Sequence, residues 1–277
     1  MKNLKLMTAI LAGSLAAMSC DPKKADAPKV LVLYYSQTSN TGAVAQVIAT
    51  ALGADIEEIK AVEPYDGDFQ ATIGRCLQER EAGTLPEIHK ISSDLSAYDY
   101  IFLGYPVWFG TYAPPVITLL GQIDLAGKKV VPFCTFGSGG LESSVKDLEA
   151  AQPNAEILPG YGVRAARIAA MPAEVNRFLI ELGLLEGEVE PLPAFTEKAP
   201  VTDAESAIFD AAVDGYPMLN AKATEFAKRT VPGGEEYLFT AVSLPREGGP
   251  VAPPESELQV YVLAEEGQAP VFTKVVR

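Results

Sequence analysis

One histidine, His89, and three cysteines, Cys20, Cys76 and Cys134, are the whole stock of the commonest metal and triad residues in a chain of 277. Histidine-based metal clusters and Ser–His or Cys–His triads have almost no material to work with. The cysteine spacing fits neither a disulfide framework nor a zinc site. Positive charge is scarce too: 22 Lys and Arg stand against 36 Asp and Glu, a formal net charge of -14. Such a chain repels nucleic acid and anionic membrane surfaces at long range, so neither is an expected direct partner. Internal repeats and long low-complexity tracts are missing as well.

What is present describes a globular protein. Hydrophobic residues make up 48% of the chain and charged ones 21%, ordinary values for folded domains. The length suits one or two domains. Residues 1–19 stand apart. Lys2 and Lys5 precede an apolar stretch, 6–18, that is too short to span a bilayer and the right length for a signal segment. It ends in Ala-Ala-Met-Ser-Cys, which resembles a bacterial lipoprotein signal. That resemblance implies cleavage before Cys20 and lipidation of its thiol, with Ala17 standing where the family usually has Leu or Val. An ordinary cleaved signal peptide, leaving a secreted or periplasmic soluble protein, is the alternative. Residues 20–28, polar and Pro-bearing, read as a tether. The expected location is therefore the cell envelope, extracytoplasmic, with membrane attachment only through the N-terminal lipid.

From Lys29 onward short apolar runs alternate with helical patterns. Strands are expected at 30–35, 55–60, 100–105 and 129–135, with a fifth beginning at 156–158. Helices are expected at 42–52, 69–81, 115–120, 141–150 and 173–184. Strands alternating with helices imply a parallel sheet covered on both faces, with ligands at the carboxyl ends of its strands. Three loops fall at such ends. The first is Ser36, Gln37, Thr38, Ser39, Asn40 and Thr41, a set of hydroxyls and amides between a strand and a helix. Side-chain donors and free helix N–H groups there suit a phosphate. The loop has neither the Gly-Lys-Ser/Thr of a Walker A motif nor a G-x-G-x-x-G. A plain helix cap is the other reading. The second loop is Pro106, Val107, Trp108, Phe109 and Gly110, whose aromatics offer flat faces to a flat ring or fold into the core. The third runs through Phe136, Gly137, Ser138 and Gly139, where glycines let backbone approach a ligand or simply make a flexible turn.

The stretches YYSQTSNTGAVAQVIATALGADIEEI, YDYIFLGYPVWFGTYAPPV and GKKVVPFCTFGSGG together resemble the short-chain flavodoxins over about 29–186. The resemblance implies a doubly wound five-stranded parallel sheet that binds FMN noncovalently and passes electrons; flavodoxin is itself the reference example of this strand order. It implies phosphate contacts from Ser36, Thr38, Asn40 and Thr41, with Gln37 and Ser39 in the same loop. It implies ring contacts from residues 106–110, Trp108 above all, and from 136–139. A carbonyl of the Gly110 or Gly137 turn is a candidate acceptor for protonated flavin N5. The family usually has Gly where this chain has Ser39, and a positive φ there would strain it. No catalytic residue and no metal ligand is expected. Cys134 reads as core packing, Cys76 as a helix-face residue, His89 as surface, and Arg164 and Arg167 as a charged rim or an anion or pyridine-nucleotide contact.

The domain reading is a flavodoxin-like unit at 29–189, a Pro-bearing linker at 190–202 and a small α+β module at 203–277. In the module, helices are expected at 203–213 and 219–228, followed by antiparallel strands at 237–244, 257–263 and 271–276. The expected function is FMN-dependent electron transfer with a redox protein or a small-molecule acceptor. The alternatives are an FMN-dependent NAD(P)H quinone or nitro reductase, and a flavin-free lipoprotein binding module.

Overall fold

The computed structural model describes residues 28–66, 68–216, 218–244 and 256–277. The signal peptide, Cys20 and nearly all of the tether lie outside the described residues. The first strand, β1, is Val30–Tyr34, and the helix α1, Asn40–Leu52, follows the polar loop. Leu31 and Leu33 pack in one core layer while Val30 and Val32 pack in another, so β1 is buried on both faces. That is why its sequence is a continuous apolar run rather than an alternation.

The remaining strands of this sheet are β2 (Asp55–Glu58), β3 (Tyr100–Trp108), β4 (Thr111–Tyr112), β5 (Lys129–Phe136), β6 (Glu156–Ile157) and β7 (Tyr161–Arg164). The order is β2-β1-β3-β5-β6, parallel throughout, with β7 continuing alongside β5 beyond β6 and β4 folded back antiparallel on β3. The fifth strand expected at 156–158 is thus two short pieces. Helices α2 (Phe69–Ala82), α3 (Pro114–Leu120), α4 (Leu141–Ala151) and α5 (Met171–Glu181) complete the unit. Val44, Ala45 and Ile48 of α1 share one face of the sheet with Met171, Val175 and Leu179 of α5. Cys76 of α2, Val116 and Leu119 of α3 and Leu148 of α4 cover the other. Among the described residues no helix is long and apolar enough to cross a membrane.

The second sheet is antiparallel, in the order β12-β11-β10-β9-β8: β8 (Ala199–Pro200), β9 (Ala221–Val231), β10 (Gly234–Ser243), β11 (Glu257–Glu265) and β12 (Val271–Val276). Helix α6 (Asp203–Val213) packs Phe209 and Ala212 against it. A capping box of Thr202 and Glu205 starts α6. The helix expected at 219–228 is strand β9 instead. Its Ala, Lys and Glu content favours a helix, but pairing with β10 through ten residue pairs overrides that preference. A register shift opposite Thr240 and Ala241 sets Ala223 and Phe226 across from the core residues Ala241 and Phe239. The bulge turns a period of two into a spacing of three and mimics a helix. The expected linker is not free chain at its end either. Thr196 donates its N–H to Lys228 O at 2.9 Å, and β8 pairs with β9.

Candidate functional site

Loops after β1, β3 and β5 lie side by side, because those three strands are neighbours in the sheet. The chain reverses its sheet position between β1 and β3, with β2 on the far side of β1. Strand order therefore places the crevice of the sheet at the β1 and β3 ends.

In the first loop Ser39 takes a left-handed conformation, φ 65°, immediately before α1, and its side chain caps nothing. The helix start is organised otherwise. Gly42 donates its N–H to Ser36 Oγ at 3.1 Å, and Ala43 to Ser39 O at 2.9 Å. Among the described residues the backbone N–H groups of 37–41 have no protein acceptor. Asn40 Nδ2 donates to Thr38 Oγ1 at 3.3 Å on the exposed rim. Two of the expected contacts turn inward. Thr41 is buried, its hydroxyl 2.8 Å from that of Thr135 at the end of β5, so its backbone N–H is the donor it leaves free. Gln37 Nε2 donates to Tyr65 O at 3.1 Å and to Thr72 Oγ1 at 2.6 Å, tying the loop to α2.

The second loop is not a loop over most of its length. β3 continues through Pro106 and Val107 to Trp108, and Phe109-Gly110 make a two-residue hairpin into β4. Both turn residues have positive φ, 53° and 85°, the backbone of a type I′ hairpin turn. Trp108 packs edge-on against Tyr35 at 6.0 Å and Tyr65 at 5.2 Å between ring centres. The tryptophan is thereby brought beside the first loop, since Tyr35 directly precedes Ser36. Tyr65 is in turn covered by the Arg75 guanidinium at 3.9 Å, and its hydroxyl donates to Glu79 at 2.6 Å. Burial, with the Glu79 bond second, pushes the Tyr65 phenol far above its ordinary range; Tyr65 is a neutral donor at every working pH. Phe109 is left 52% exposed, with the Arg80 guanidinium 5.4 Å from its ring.

The third loop differs. Phe136 is buried in the core and offers no face to solvent. The Gly137 carbonyl accepts from Arg164 Nε at 2.8 Å and the Ser138 carbonyl from the Val275 N–H at 2.6 Å. A Cβ at Gly137 would lie 2.8 Å from the Tyr216 hydroxyl, and one at Gly139 2.2 Å from Val275 O. The space those glycines leave is thus taken by the C-terminal module. The Gly110 carbonyl likewise accepts from Ser143 Oγ. Both candidate acceptors for flavin N5 therefore already hold one hydrogen bond and keep one lone pair each.

Arg164 is neither a rim residue nor an anion contact. It is buried, and a second nitrogen donates to Phe272 O at 2.7 Å. Sequence reasoning gave Arg164 a different role and missed Tyr65 and Tyr216, because the partners that decide them are remote in the chain, 108 residues apart for Arg164 and Phe272. Only the lone aromatic run 108–109 hinted at a cluster. Cys134 is fully buried in β5, and burial also pushes the Cys76 thiol up to about 11; neither offers a thiolate near neutral pH.

No curated protein is similar to the chain. Solved structures are. A protein from Bacteroides eggerthii DSM 20697, described provisionally as a flavoprotein, is 27% identical over 56% of this chain and 98% of its own, with a TM-score of 0.48. A flavoprotein from Lactobacillus acidophilus NCFM, solved in complex with FMN, is 28% identical over 49% of this chain and 93% of its own, with a TM-score of 0.45. The profile of the Flavodoxin family matches residues 29–170, just over half of the chain and the whole of the sheet that carries the three loops. This chain belongs to the flavodoxin family.

Proposed function

We propose that the protein is an FMN-binding electron carrier, anchored in the extracytoplasmic cell envelope by a lipid on Cys20. One observation carries the flavin reading. Among the described residues only Ser39 and Phe109 hold positive φ without being glycine, and each lies in a loop at the β1–β3 crevice. Backbone strain of that kind persists where the surroundings over-determine it, and it concentrates at ligand sites.

The residues fit the group. The free N–H groups of 37–41, with the hydroxyls of Ser36, Thr38 and Ser39 and the amide of Asn40, are a donor set for a phosphate that needs no lysine or arginine. Trp108, braced by Tyr35 and Tyr65, supplies a rigid aromatic wall beside it. FMN when bound supplies the one- and two-electron chemistry. The chain's own part is to orient the ring, hold the phosphate and exclude water. Cys134 and Cys76, buried and protonated, stay out of the redox work.

The test is spectroscopic. The apoprotein mixed with FMN is expected to turn yellow and to quench flavin fluorescence at one FMN per chain. Trp108→Ala is expected to weaken binding at least about tenfold, the loss of one stacked aromatic anchor. Stepwise reduction with separated one-electron steps, and no turnover with NAD(P)H, marks a carrier. Steady NAD(P)H oxidation with a quinone marks a reductase instead. Globomycin-sensitive processing and labelling of Cys20 by a fatty acid tests the anchor, and a C20S chain that remains membrane-bound contradicts it.

A further inference from the structure

A glycine-rich turn at the end of a central strand normally leaves backbone open to whatever lies above it. Here the third loop is spoken for by the chain itself. Strand β12 is the edge of the second sheet, and an edge strand presents unpaired N–H groups. The Val275 N–H meets that need on Ser138 O. Arg164, at the end of β7, reaches between the two units, giving one N–H to Gly137 O and another to Phe272 O while its guanidinium lies 3.3 Å from the Phe272 ring centre. Tyr216 closes the same spot, 5.3 Å from the guanidinium. On the rim, Lys274 Nζ is 2.7 Å from Glu142 Oε1 at the start of α4.

The Arg164 charge is buried, and no carboxylate lies within ion-pair reach of it among the described residues. Burying a guanidinium is costly unless its donors are matched. Its matches are two backbone carbonyls and an aromatic face, one carbonyl from each unit. Burial draws its pKa down to about 10, with Tyr216 opposing, and it remains charged at working pH.

We propose that Arg164 is a positioning residue of the flavin site, and that the C-terminal module is a built-in wall of that site which sets the third loop through Arg164 and Val275. This rests on the flavin reading above. The module's role is then not a separate activity. It fixes which way the Gly137 and Ser138 carbonyls point and so what the loop presents to the ring.

The experiment uses the full chain and two readouts. Hydrogen exchange of the two N–H groups that end on the loop, the Val275 amide on Ser138 O and the Arg164 Nε–H on Gly137 O, is followed without flavin, and the FMN dissociation constant and visible spectrum are measured by titration. Arg164→Met is expected to speed exchange of the Val275 amide and to weaken FMN about tenfold, the cost of a lost charge-assisted hydrogen bond, with a shifted visible spectrum and unchanged protection in β1, β3 and β5. Arg164→Lys, which keeps the charge but cannot fork between two carbonyls, is expected to recover part of the affinity. Val275→Pro removes the other bond, whose N–H is spent on Ser138 O, and is expected to speed exchange of the Arg164 Nε–H and to weaken FMN, so a poorly folded Arg164→Met chain does not leave the question open. Wild-type exchange of the remaining N–H in both variants overturns the proposal, and so does protection lost throughout the first sheet in both together with FMN. If the wild-type chain takes up no FMN the flavin reading falls by itself, and the exchange rates alone judge whether the module sets the loop.

Discussion

The loops after β1 and β5 both end a buried central strand and both are short, polar and rich in donors, yet they are held in opposite ways. The first is held by its own helix and strained at Ser39, and it leaves its backbone N–H groups without protein acceptors. The third is held by a separate part of the chain, which takes up its carbonyls and the space beside its glycines. The N–H groups of 137–140 have no protein acceptor either among the described residues, so what prepares the first loop for an anion is its added hydroxyls and the Asn40 amide. A loop whose carbonyls are occupied is prepared for a fixed shape.

Substitutions at the two loops should therefore have unlike effects. The largest is expected at Gly139. A side chain there meets Val275 O at 2.2 Å, so Gly139→Val should destabilise the docked module by about 3 kcal/mol, as overpacking against backbone does. Urea denaturation followed by Trp108 fluorescence for the first sheet and by amide exchange in β9–β12 for the module should then show the module melting first. A single unchanged transition would mean that the two units do not press on this loop. A smaller effect of opposite sign is expected at Ser39. Ser39→Gly removes the strain of a left-handed serine at φ 65° and should stabilise the chain by about 1 kcal/mol. FMN affinity should hold or rise, and a marked fall would show that the Ser39 hydroxyl itself grips the ligand.

The smallest effect is electrostatic. Burial opposes ionisation of Glu142, but the bonds from Lys274 and from its own backbone N–H outweigh it, and its carboxyl lies below the usual value of 4.5. A lowered folded pKa means that its contribution is present above about pH 4.5 and is lost as pH falls through the folded value. Both partners are more than a third exposed, so the pair is worth at most about 0.5 kcal/mol. Glu142→Gln should flatten that part of the pH dependence of urea stability and change nothing once the pH is below the folded value. An undiminished acid slope would place the titrating group elsewhere.

Much of the first loop was legible in the sequence, because strand, loop and helix are contiguous there and each has a local signature. The apolar run of β1 and the one-sided spacing of Val44, Ile48 and Leu52 needed no distant partner. The third loop was legible only in part. Its glycines were visible, but their reason was not: Tyr216 and Val275 come from far along the chain, and nothing at 137–139 names them. Strand β9 failed for a related cause, since its bulge and its partner β10 decide its conformation against its own composition. The hairpin at Phe109-Gly110 hid in the same way, because a phenylalanine at positive φ carries no sequence signal.

The central claim is that the free donors of residues 37–41 and the aromatic wall at Trp108 hold FMN. Fluorescence titration of FMN into the full chain, with riboflavin as the phosphate-free control, tests it most directly. Saturable quenching at one FMN per chain, with riboflavin bound at least about a hundredfold more weakly for want of the phosphate contacts, is the predicted result. Equal affinity for the two, or no quenching by either, would contradict the assignment of the β1 loop as a phosphate site.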